Sequence, residues 1–64
     1  MKNLYFIKTS WRGYLIVASN REIAEEKLFD NNMSFGESIS SVEFICVAGG
    51  DFMEGQVLKI ISDE

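Results

Sequence analysis

Glu22, Glu25 and Glu26 stand at i, i+3 and i+4, and Asp30 continues the line by one further i+4 step. On a helix that spacing puts the carboxylates on one face, neighbours ~5–6 Å apart. Carboxylates so placed can do one of two things. As an acid–base pair they need a cleft and a partner able to move protons. The chain contains no histidine, and its 64 residues leave little volume for a cleft. The alternative is display of charge. Only Lys27 offsets the row, and Glu37, Glu43, Asp51 and Glu54 follow, so residues 22–54 hold eight acids and one base. Carboxylates in a row can stand in for phosphates and dock into a basic groove. The plainer reading is a solvated helix face whose acids sit near the positive end of the helix dipole.

A second set of residues lies in Lys8-Thr9-Ser10-Trp11-Arg12-Gly13-Tyr14. Trp, Tyr and Arg are the types most enriched at interface hot spots, so Trp11, Arg12 and Tyr14 are candidates for an anchor in an exposed loop. Equally, the indole of Trp11 could close over the sheet end, with Arg12 reaching out to water. Stacking of Trp11 or Tyr14 on bases, with Lys8 and Arg12 on phosphates, would make a single-strand binder. The charge distribution argues against that. Residues 1–21 hold four bases and no acid, residues 22–64 hold ten acids and two bases, and the net charge is −4. Direct nucleic-acid binding is therefore not expected.

No metal or other cofactor is expected, because there is no histidine and Cys46 is the only cysteine. That cysteine lies in the apolar run Phe44-Ile45-Cys46-Val47 and reads as core filler, in keeping with a reducing, cytoplasmic setting. Asn32-Met33-Ser34 matches the glycosylation pattern, and in such a compartment the match is accidental. Ala48-Gly49-Gly50-Asp51 lacks the spacing and lysine of a phosphate loop. Apolar runs of about five residues predict no membrane span.

The elements that must position these residues follow from pattern. Leu4–Lys8 and Tyr14–Ala18 are aromatic and β-branched runs, linked by Thr9–Gly13 as a hairpin with glycine at a positive-φ position. Either Ser19, with Glu22 completing a capping box, or Asn20 caps a helix over Arg21–Phe29. Its narrow apolar stripe is Ile23, Ala24 and Leu28, and Asp30-Asn31-Asn32 ends it with an asparagine available for the left-handed position. Met33–Ile39 is loop. Ser41–Ala48 is a strand whose alternation puts Val42, Phe44, Cys46 and Ala48 on one face and Glu43, Ile45 and Val47 on the other. Gly49-Gly50-Asp51 is a turn, Asp51–Glu54 fits a short capped helical turn, and Gln56–Ser62 is a last strand. The order β-β-α-β-β predicts a single α+β domain, residues 1–64: a small antiparallel sheet with one helix packed across one face.

In size, acidity, lack of catalytic residue types and this compact pattern, the chain resembles the very small acidic accessory proteins of phages and mobile elements, anti-CRISPR proteins among them. The resemblance implies inhibition by contact: occupying the nucleic-acid groove of a CRISPR effector complex, or blocking its assembly, with carboxylates facing lysines and arginines. The expected partner is thus a basic nucleic-acid-binding protein complex. The expected contact residues are Glu22, Glu25, Glu26, Asp30, Glu37 and Glu43, with Trp11, Arg12 and Tyr14 as the anchor. The alternative expectation is a structural, self-assembling module that forms a homodimer by pairing exposed sheet edges.

Overall fold

The computed structural model describes residues 1–62. Strand β1 (Lys2–Thr9) turns through Ser10 and Trp11 into β2 (Arg12–Ala18); helix α1 (Arg21–Asn31) follows, then β3 (Ile39–Ala48) and β4 (Val57–Ser62). All pairings are antiparallel, and the sheet order is β3-β1-β2-β4. The expected α+β architecture is the observed one.

Period-two alternation sorts β1 and β2 into two faces. Tyr5, Ile7, Tyr14, Ile16 and Ala18 point to the helix and form the core with Ala24 and Leu28. Ile23, Val42 and Val57 pack at its margin. The helix rests chiefly on β2 and also on β1, the two central strands. An eleven-residue helix is marginal alone in water, so this apolar contact is what holds it.

One open alternative is resolved and three local expectations are corrected. The helix N-cap is Asn20, whose side chain accepts from the Ile23 amide at 2.9 Å, so the alternative cap at Ser19 is not the one used. Asn32 ends the helix with φ −127°, and no residue other than glycine has positive φ among the described residues. Gly13 lies within β2 rather than at a positive-φ turn. A Cβ there would sit 2.6 Å from the Phe6 ring, so the glycine makes room for that ring on the face away from the helix. The stretch 51–54 forms no helical turn. Instead the Gln56 amide bonds the Met53 carbonyl, with Gly55 at φ +81° completing a tight turn.

The remaining correction concerns β3. Leu4 opposes Cys46 while Tyr5 opposes Phe44, so Ile45 is an extra residue in the strand. This bulge reverses the alternation beyond it. Val42 and Phe44 share the helix face, but Cys46 and Ala48 fall on the opposite one. Cys46 is exposed rather than core filler.

Candidate functional site

The helix places its acids as the spacing predicts. Glu22, Glu26 and Asp30 are exposed on α1, away from the buried Ala24 and Leu28. Glu25 is half-buried along the stem and pairs with Arg21 at 2.9 Å, the one ion pair among the described residues. Three consecutive i+4 carboxylates therefore have no bound counter-charge. Glu22 in the first turn meets the positive end of the helix dipole, which favours it. Asp30 lies near the opposite end, and the last turn contains no base. An acid there works against the dipole, at a cost of about 0.3–1 kcal/mol.

The other acidic candidates do not join this row. Glu43 lies on the sheet face turned away from the helix, because it pairs with Phe6 in the register of Leu15 and Lys59. Glu37 is withdrawn from the surface altogether, at 6% exposure. Its carboxylate accepts from the Thr9 hydroxyl, from the Tyr14 hydroxyl at 2.9 Å and from the Ser34 amide at 3.0 Å. Burial alone would raise its pKa, but these three donors and the nearby Arg12 charge outweigh burial and hold it below the ordinary carboxylate value. Tyr14 responds oppositely: burial first, then the Glu37 carboxylate, push its phenol above the ordinary range. Glu37 is a structural tie.

The proposed anchor loop separates in the same way. Tyr14 is fully buried in the core, so no partner can reach it. Arg12 is half-buried, its guanidinium 3.4 Å from Ser34 Oγ. Trp11 occupies the hairpin turn at 46% exposure, its indole edge beside Gly36. It does not seal the core. The Ser10 amide bonds the Ser38 carbonyl, and the Ser38 amide bonds Ser10 Oγ, so the hairpin tip is pinned to the loop that carries Glu37. Of the three aromatic and basic candidates, Trp11 alone is presented to solvent.

Two features escape sequence reasoning. Glu54 accepts from both the amide and the hydroxyl of Ser19, at 2.7 and 2.8 Å, tying the β3–β4 connection to the start of the helix. Those bonds, the amide first, lower its pKa against a smaller opposing effect of burial. The second is an open hollow of about 360 Å³ lined by Met1, Lys2, Val47, Ala48, Gly49, Gly50 and Phe52. Lys2 is its only charged side chain. Among the described residues no three acids or thiols gather closely enough to hold a metal ion, and no helix is long and apolar enough to cross a membrane. Comparison with protein-family models, curated proteins and solved structures returns no match.

Proposed function

We propose that this chain acts by contact, as a non-catalytic inhibitor that lays the outer face of α1 against a basic groove of a nucleic-acid-handling complex of the CRISPR-effector kind. The observation that carries this reading is the line Glu22, Glu26, Asp30: exposed, without a counter-charge, and continued to the helix end where the dipole disfavours it. Like charges at i+4 cost a helix a few tenths of a kcal/mol per pair. A groove lined with lysine and arginine would reverse that cost and speed the encounter. Glu25 adds to the row if Arg21 is drawn off it, and Trp11, exposed beside Gly36 in the loop that follows α1, supplies an aromatic contact.

The test is a tagged pull-down from nuclease-treated bacterial lysate. The wild-type chain should retain a nucleic-acid-binding complex that added guide RNA or DNA displaces and high salt weakens. The variant with Glu22, Glu25, Glu26 and Asp30 changed to lysine should retain none of it. If that variant captures the same complex equally well, the acidic face is ordinary solvation and the proposal is wrong.

A further inference from the structure

The helix covers one face of the sheet; on the other, no helix or second sheet lies over the strands among the described residues, although Gly13 and Val17 are buried there. Register places three rows on that open face. The middle row runs Glu43 (β3), Phe6 (β1), Leu15 (β2), Lys59 (β4). On one side lies Ser41, Lys8, Gly13, Ile61, and on the other Cys46, Leu4, Val17. Leu4, Phe6 and Leu15 lie outside the core under the helix and are half-buried, while Val17 on the same face is fully buried. A sheet face meant for water would alternate to polar residues here. Instead the centre is apolar, and the two edges of the middle row carry opposite charges. An apolar centre with a charged rim is the anatomy of an interface.

We infer that this face pairs with the same face of a second copy, through a two-fold axis parallel to the strands and running between β1 and β2. That axis exchanges the edges. β3 then faces the partner's β4, and β1 faces the partner's β2. In the middle row Glu43 meets the second copy's Lys59, and Phe6 meets its Leu15. Within one copy Glu43 and Lys59 stand three strand spacings apart, ~14 Å, too far to bond each other. The two-fold satisfies both, twice. Self-complementarity of this kind is what an isologous dimer requires, and a surface designed for an unrelated partner has no need of it. Aligned sheets pack ~10 Å apart and splay toward their edges through twist, which suits short apolar groups at the centre and long charged ones at the rim.

Edge pairing fits the strands less well. Both edge strands have irregular registers, at Ile45 in β3 and Leu58 in β4, and such bulges oppose continuation of a sheet into a neighbour. Face-to-face pairing also leaves both helices outside. Each dimer would then present two acidic rows on opposite surfaces, so the pairing stands independently of the role proposed for the helix.

Sedimentation equilibrium on the full chain tests this directly. The wild type should form a dimer of the 7.3 kDa chain. Glu43→Lys or Lys59→Glu alone sets like charges together at two symmetric places and should weaken the dimer roughly 10- to 100-fold. The double exchange should restore affinity to within about threefold. Both positions are exposed, and circular dichroism checks that each variant keeps its fold. As a geometric check, Glu43→Cys with Lys59→Cys in a Cys46→Ser background should oxidise to a chain-to-chain disulfide. A wild type that stays monomeric to millimolar concentration overturns the inference. So does a dimer unmoved by either single reversal, which would point to the sheet edges.

Discussion

Tyr14 donates its phenolic proton to Glu37 at 2.9 Å, joining the second strand to a loop 23 residues further on. Thr9 donates to the same carboxylate oxygen and accepts from the Arg12 amide at 3.0 Å. The hairpin end, the core and the β3 approach are thereby closed around one buried charge. A buried carboxylate is costly unless every donor is in place, so this cluster fixes where the loop 33–38 runs.

Changing both partners should therefore cost less than the sum of changing each. Tyr14→Phe leaves Glu37 short of a donor and should cost about 1–2 kcal/mol in urea denaturation. Glu37→Gln presents an amide to donors placed for a carboxylate, and should cost about 1.5–3 kcal/mol. The double variant should fall short of the sum by more than about 0.5 kcal/mol. Strict additivity would show that the two groups do not act as a unit.

The same tie sets the pH dependence. Glu37 and Glu54 both titrate below the ordinary value near 4.5 in the folded chain, so the unfolded chain binds more protons as acid is added. Their stabilisation is present above that pH and is lost as pH falls through the lowered folded values. Tyr14 is displaced upward from 10.0, so its contribution is complete below that pH and is lost as pH rises through the raised folded value. Melting temperatures across the acid and alkaline limbs should fall at both ends. Glu37→Gln should flatten the acid limb and Tyr14→Phe the alkaline one; a wild-type acid limb retained by Glu37→Gln would refute the assignment.

What the sequence disclosed and what it concealed divide along physical lines. Strand runs, the Ile23-Ala24-Leu28 stripe and the helical spacing of Glu22, Glu26 and Asp30 are periodic, and periodicity is legible without a partner. Ile45 is not, because a bulge depends on how β3 pairs with β1, and its effect was to turn Cys46 outward. Gly13 looks like a turn residue until the Phe6 ring is known to lie over it. Glu37 sits in a loop of small polar residues, where an acid reads as solvated. Its one signal was isolation: no neighbour in sequence explains a lone carboxylate between Gly36 and Ser38. The half-buried apolar row on the second face was hidden for a related reason, since Leu4, Phe6 and Leu15 read as core until the single helix is assigned to the other side.

The two caps weighed at the helix start make a final, discriminating prediction. Asn20 adopts extended backbone, φ −154° and ψ 175°, and its Oδ1 takes the Ile23 amide, one of the donors a helix start leaves unpaired. Asn20→Ala should therefore cost about 1 kcal/mol, and Asn20→Asp should cost almost nothing because aspartate accepts the same bond and suits the dipole. Ser19 works differently: its hydroxyl and amide both serve Glu54. In Ser19→Ala the amide bond survives, so the loss should stay near 0.5 kcal/mol, the low end for a single exposed hydrogen bond. Denaturant midpoints on the three variants decide the matter. If Ser19→Ala proved the most damaging, the serine would be the cap in solution and the Glu54 contact secondary to it.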